Sequence, residues 1–238
     1  MSKTTYRRIL MKLSGEALGS GEGIFDFDKV RQIAGVIRDM HALGTEIGIV
    51  IGAGNIWRGR QGPAAHMDAV AADQMGMLGT VINCICVADA LRQAGVDAVV
   101  QSAVDMNRFC EPFNAVSARH HLQEGRVVLF AAGSGNPFFS TDTAVALRAI
   151  EMQADAILMA KNIDGVYSDD PRKNPNAKLI RDITYRDALA QGLKVMDAAA
   201  FTLCAENDVP MVRVFGLDDP QNLVRVLEGD DMGTKVHP

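Results

Sequence analysis

Glu46-Ile47-Gly48-Ile49-Val50-Ile51-Gly52-Ala53-Gly54-Asn55-Ile56-Trp57-Arg58-Gly59 joins a nearly continuous apolar run to a loop of glycine and small residues. A short run without alternation predicts a strand covered on both faces, which is the habit of a parallel sheet with helices above and below. The same succession recurs along the chain. Ile9 to Leu13 predicts a strand and is followed by Ser14-Gly15-Glu16-Ala17-Leu18 and then Gly19, Gly21 and Gly23. Val127 to Ala131 predicts another and leads into Gly133-Ser134-Gly135-Asn136-Pro137-Phe138-Phe139-Ser140-Thr141-Asp142. Between these runs lie helical patterns. Val30, Ile33, Ala34 and Ile37 fall at i, i+3, i+4 and i+7 after a cap expected at Asp28, and the pattern closes at Gly44.

Further helices are expected from about Asp68 to Ala94 and over 114–124, 142–153 and 196–207, with a last one after Pro220. Strands are expected at Ala98 to Gln101, Ala156 to Met159 and Met211 to Phe215, with an edge strand at Gly233 to Val236. This βα rhythm predicts an α/β fold with a mostly parallel central sheet. Residues 1–238 show no repeat and no linker, so a single domain is expected. In such folds ligands bind beyond the carboxyl ends of the strands, where these glycine loops fall.

Composition narrows the class. Of 238 residues, 48% are hydrophobic and 22% charged, with 24 basic and 29 acidic side chains for a net charge of −5. That describes a globular interior and lacks the basic footprint of a nucleic-acid coat. The longest apolar stretches are expected to fall short of a membrane span. Lys12 interrupts the first apolar run before a signal peptide can form, so a soluble cytoplasmic protein is expected. Cys84, Cys86, Cys110 and Cys204 form no CxxC pair and read as reduced thiols. The histidines lack metal-ligand spacing, and His120-His121 reads as a helix surface.

Glycine-rich loops let backbone N–H groups approach phosphates, and a following helix N-terminus adds positive potential. One such loop is equally well a turn; three in one α/β chain point to a polyphosphate site. The dinucleotide fingerprint does not fit, because its third glycine position holds Ile24, Trp57 or Phe138 in the three loops, and GxxxxGK[ST] is absent. Lys12 at a strand end and Arg58 at a loop end are suited to phosphate oxygens. Asp142 reads equally as an ordinary first-turn helix charge, and Asp73, beside Gln74, as part of a solvated face.

Taken together, Lys12-Leu13-Ser14-Gly15-Glu16-Ala17-Leu18, Gly54-Asn55-Ile56-Trp57-Arg58-Gly59 and Asp73-Gln74-Met75-Gly76-Met77-Leu78-Gly79-Thr80 resemble segments of the bacterial uridylate kinases of the amino-acid-kinase superfamily. So do Gly135 to Asp142, Asp164-Gly165-Val166-Tyr167-Ser168-Asp169-Asp170-Pro171 and Lys194 to Phe201. The resemblance implies a three-layer α/β/α sandwich, a homohexamer, and transfer of the γ-phosphoryl group of Mg-ATP to UMP. The N-terminal part would form mainly the UMP side and the C-terminal part mainly the ATP side.

Carried over by residue, the resemblance gives Lys12, Arg58 and Asp142 catalytic roles. Lys12, Leu13, Ser14, Gly15, Gly54 and Arg58 would hold ATP phosphates, and Asn162, Tyr167 and Asp170 would line the adenosine pocket. Ala53, Asp73, Ser134, Gly135, Asn136, Pro137, Phe138, Phe139, Ser140 and Thr141 would form the UMP site. Ser20, Gly21, Glu22, Gly23, Ile24 and Phe25 match a segment associated with GTP activation, and UTP would inhibit. Magnesium would travel with ATP, with no dedicated metal site. Ala53 stands where the family often has glycine, and whether Lys161 or Asn162 faces the nucleotide stays open. Two other readings remain: a superfamily kinase of a carboxylate or carbamate, and a non-catalytic nucleotide sensor of the same fold.

Overall fold

A computed structural model describes residues 4–20, 23–57, 66–193, 195–217 and 219–238. Seven helices and eleven strands follow in chain order among them. The first run forms β1 (Arg8–Leu13), and a single turn of 3₁₀ helix at Gly15–Leu18 follows it. Next come α1 (Phe27–Ala42), β2 (Glu46–Ile51), α2 (Ala69–Gln93), β3 (Ala98–Ser102), β4 (Glu111–Pro112), α3 (Ala115–Gln123) and β5 (Val127–Ala131). The second half holds α4 (Thr141–Met152), β6 (Ala156–Lys161), β7 (Val166–Tyr167), β8 (Leu179–Ile180), β9 (Asp182–Thr184), α5 (Tyr185–Ala190), α6 (Ala198–Glu206), β10 (Val212–Gly216), α7 (Asn222–Glu228) and β11 (Thr234–His237).

Nine strands make one sheet in the order β4-β3-β5-β2-β1-β6-β10-β11-β9, parallel except where β11 runs against β10. β7 and β8 form a separate antiparallel pair. Each central strand sends alternate residues to opposite cores. Ile9, Met11 and Leu13 join Ile47, Ile49 and Ile51 under α1, α2 and α7, whereas Leu10, Val50, Val128 and Phe130 pack under α3, α4, α5 and α6. This is the expected three-layer α/β/α sandwich. Gly48 is bare because a Cβ there would lie 2.8 Å from Leu10 and 3.0 Å from Phe130.

Several expectations are corrected. The cap of α1 is Asp26, whose carboxylate accepts from the N–H groups of Asp28 and Lys29. Asp28 sits inside the first turn. β11 is not at the sheet edge, because β9, three residues long and too short to be seen in a pattern, pairs on its far side in parallel. His121 is no surface group; its side chain is 12% exposed and bonds Glu111 and Arg126. α2 exceeds the length expected of apolar segments: by length and mean hydropathy, 1.4, it could cross a membrane. Within the sandwich its inner face packs on the sheet, with Val81, Cys84, Val87, Ala88 and Leu91 in the core. Its outer face shows Met75, Leu78, Ile82 and Ile85. Cys84, Cys110 and Cys204 are buried free thiols, and burial pushes Cys204 up to about 12.

Candidate active site

The chain runs from β1 outward to β2 on one side and later returns to β6 on the other, so the sheet order reverses at β1. Beyond the carboxyl ends at this switch point, two cavities flank a cluster of charged side chains.

Lys12 is the penultimate residue of β1, in register with Val50 and Met159 on either side. Its neighbours Met11 and Leu13 face the core under α1 and α2, so Lys12 emerges on the opposite face. There its ammonium meets Asp142 Oδ1 at 2.7 Å, with Lys12 25% and Asp142 16% exposed at the side chain. Asp142 is placed by the start of α4, where the Ser140 hydroxyl accepts from the Asp142 and Thr143 N–H groups. Asp142 is therefore both a first-turn helix charge and the partner of Lys12.

Lys161 ends β6, the other neighbour of β1. Its ammonium donates to the Val195 carbonyl. Burial pulls its pKa below the ordinary lysine range; Asp142 opposes that and Lys12 adds to it. Lys161 lines the second cavity, while Asn162 is exposed and does not border it. Of the two residues left open by the sequence, Lys161 is the one at the charged cluster.

The first cavity, about 480 Å³, lies on the β1–β2 side. Lys12, Ser14 and Gly15 of the first loop border it together with Gly52, Ala53 and Gly54 of the second. Of the third loop, Ser134, Asn136, Phe139, Ser140 and Thr141 line it, with Asp73 of α2 on the wall. Gly135, Pro137 and Phe138 do not border it. Gly135 and Pro137 line another, apolar cavity of about 440 Å³ behind the loop, and Phe138 is 74% exposed. Leu13 is buried in the core and presents only backbone, its carbonyl accepting from Gly52 N–H at 3.0 Å. Arg58, Gly21 and Glu22 lie outside the described residues. Ser20 and Gly23 pair as a small bridge, and Ile24 is half exposed.

The second cavity, about 560 Å³, lies beyond β6 and β10 and is bordered by Lys161, Tyr167, Asp169, Asp170, Lys173 and Leu193. Tyr167 donates its hydroxyl to Asp164 at 2.8 Å, and that bond raises the phenol's pKa. Asn174, donating a hydrogen bond, holds Asp169 below the usual carboxylate range.

A family model described as the amino acid kinase family matches residues 7–214. The chain belongs to the amino acid kinase family. This amino acid kinase is similar to the UMP kinase of Bacillus anthracis, with 38% identity and a TM-score of 0.94 over 98% of this chain and 96% of that one. It is similar also to the UMP kinase of Ureaplasma parvum, with 38% identity and a TM-score of 0.92 over the full length of both. The uridylate kinase of Archaeoglobus fulgidus, at 21% identity and a TM-score of 0.73 over 96% of this chain and 99% of that, shares the fold.

The groups that hold the loops in this amino acid kinase include Asp73, which the sequence offered for the UMP site, and Thr80, Arg148 and Asp197, to which it gave no role. Asp73 Oδ2 accepts from Phe138 N–H at 2.7 Å, fixing a residue with φ of 70° that an aromatic side chain seldom adopts. Thr80 Oγ1 accepts from Ala132 N–H at 2.8 Å. Arg148, only 3% exposed and lying 3.6 Å over the Phe113 ring, reaches the Gly133 carbonyl. Asp197 caps α6 and also accepts from the Ser140 and Thr143 hydroxyls, tying two helix starts together. The available signal for Thr80 was its polarity within Gln74 to Ala88, a stretch of α2 that carries no charge.

Proposed function

We propose that this chain is a UMP kinase, a single unit over 1–238 that moves the γ-phosphoryl group of ATP to UMP, giving UDP and ADP. The observation that carries the reading is the cluster Lys12, Asp142 and Lys161 standing between two cavities at the sheet's switch point. Each cavity has the size of a nucleotide site, and the 38% identical neighbours are UMP kinases.

The chemistry follows from charge. The UMP phosphate has a second pKa of about 6, so at neutral pH it is already deprotonated and needs no base. One of its oxygens attacks the γ-phosphorus, a new P–O bond forms, the bond to the β-phosphate oxygen breaks, and ADP leaves with that electron pair. No proton moves. The barrier is the approach of two anions in line, which positioning and cations relieve. In this reading the loops at Ser14–Gly15 and Ala53–Gly54 receive the phosphates, the Gly52 N–H being spent on the Leu13 carbonyl, and Lys12 and Lys161 neutralise charge on either side of the transferring group. Asp142 holds Lys12 in place.

Magnesium arrives with ATP as part of the substrate. It binds chiefly phosphate and water with one or two carboxylates, and Asp142 is the carboxylate present at the junction that fits. Bound there, the ion supplies charge neutralisation to the phosphates. Asp73 suits the acceptor's ribose or base, and Tyr167 and Asp170 the donor's adenosine. GTP activation through the Ser20–Phe25 segment, UTP inhibition, a homohexamer and a cytoplasmic location complete the proposal.

The test is coupled ADP release with Mg-ATP and UMP, CMP, dUMP, acetylglutamate or carbamate in turn, with and without GTP. UMP-selective turnover is expected. Turnover with an acid instead, or nucleotide binding without turnover, would overturn the reading.

A further inference from the structure

Asn83 is fully buried on α2, among apolar neighbours that have no need of an amide. Its Nδ2 donates to the Gly52 carbonyl at 2.7 Å and to Asn55 Oδ1 at 2.8 Å. Asn55 returns the bond, Nδ2 to Asn83 Oδ1 at 3.0 Å, and spends its other proton on the Ile24 carbonyl at 2.9 Å. Both amides therefore have every donor satisfied, and the orientation of each is fixed by a backbone carbonyl that can only accept. The pair fastens three segments to one another: α2, the second glycine loop, and the chain at Ile24.

A fourth segment rests on it. A Cβ on Gly15 would stand 2.3 Å from the Gly52 oxygen, 2.5 Å from Asn55 Oδ1 and 2.9 Å from Gly54 N. Gly15 thus seats the first glycine loop directly on the carbonyl and the amide that Asn83 holds. Neither Asn55 nor Asn83 borders the first cavity, so neither meets a nucleotide there. What they fix is the spacing between the loop that follows β1 and the loop that follows β2.

We infer that Asn83 and Asn55 are positioning residues for phosphoryl transfer, setting the separation and alignment of the two phosphate-holding loops. This rests on the UMP kinase reading. Misalignment of bound reactants by about 1 Å costs on the order of 10²-fold in rate without a matching loss of binding. The signature is therefore a fall in kcat with little change in KM.

The experiment compares wild type, Asn83→Leu, Asn55→Ala, the double variant and Val87→Ala, measuring kcat, both KM values and the thermal midpoint. Asn83→Leu keeps the branched outline and the number of heavy atoms and removes the amide. Asn55→Ala alters a half-buried loop residue and preserves folding if Asn83→Leu does not. Val87 is a buried core residue one turn further along α2 that lines neither nucleotide cavity.

Each asparagine variant is expected to lose roughly 10²-fold in kcat, with both KM values within about 3-fold. The double variant should lose no more than the worse single, because the two act as one unit. Val87→Ala should lower the midpoint and leave kcat within about 3-fold, because a cavity in the core costs stability. Asparagine variants that turn over like wild type, a loss carried by KM alone, or a Val87→Ala enzyme equally slow would each overturn the inference. A wild type that releases no ADP with UMP would instead overturn the UMP reading, and this inference with it.

Discussion

Lys12 and Asp142 show how much one residue's surroundings decide. An ammonium at the end of an apolar strand would ordinarily reach solvent, yet here it stops 2.7 Å from a carboxylate placed by the first turn of α4. In the proposed mechanism, replacing Lys12 by Ala removes a cation from the point where transition-state charge gathers, and the loss should fall on kcat, by about 10²–10³-fold, with the KM for UMP changed only a few-fold. Steady-state ADP release over a UMP series checks this; turnover within a few-fold of wild type would end Lys12's assigned role. These two residues were legible in the chain because each occupies a position with a rule attached, a strand end and a helix first turn. Asn83 shared with Thr80 only the signal of polarity within an uncharged stretch of α2, and nothing in its neighbours along the chain says that a carbonyl from another loop will need an amide there. Lys161 was half legible: the sequence offered it beside Asn162, and only the pleat of β6 and the burial at its end separate the two.

Among the elements, α2 does most to shape the site, and it does so through absent side chains as well as present ones. A Cβ at Gly79 would fall 2.9 Å from the methyl of Ala53 in the second glycine loop. The methyl at Ala53, where a glycine was the familiar choice, is accommodated by the bare helix surface opposite. Gly79→Ala alone gains about 1 kcal/mol of helix propensity and incurs an overpacking cost of about 1–3 kcal/mol, so it should be net destabilising. In an Ala53→Gly background the clash is gone and the same substitution should stabilise by roughly 1 kcal/mol. Urea unfolding of the four proteins measures the coupling, and additive effects would show that the two groups do not meet. The long elements were readable because periodicity over many residues leaves little choice, as for α1 and β5. β4, β7, β8 and β9, each two or three residues long, were not, because such strands exist only by virtue of the partner they pair with.

At the scale of the molecule, the far side of the sheet is finished by β11 and β9, which were read as a lone edge or not at all. There His237 Nε2 lies 2.8 Å from Asp182 Oδ1, and its other ring nitrogen faces the Pro238 oxygen. Two oxygen partners favour the imidazolium and raise its pKa above the ordinary 6.5. Folding therefore increases proton affinity, so the contribution is complete below about pH 6.5 and disappears as pH rises through the higher folded value. For a partly exposed pair this amounts to roughly 0.5 kcal/mol. Urea unfolding at pH 6 and pH 9 should show that much less stability at the higher pH from this source, and His237→Gln should abolish the difference; an unchanged pH dependence in the variant would refute it.

The arrangement of the two chambers about β1 has a consequence for redesign. Lys12 and Lys161 stand within each other's electrostatic reach at the boundary, so altering either changes conditions for both guests at once. The wall formed by Asp73, Asn136 and Phe139 borders one chamber only, and in the proposed reading the choice of acceptor can be rewritten there without disturbing the donor's lodging.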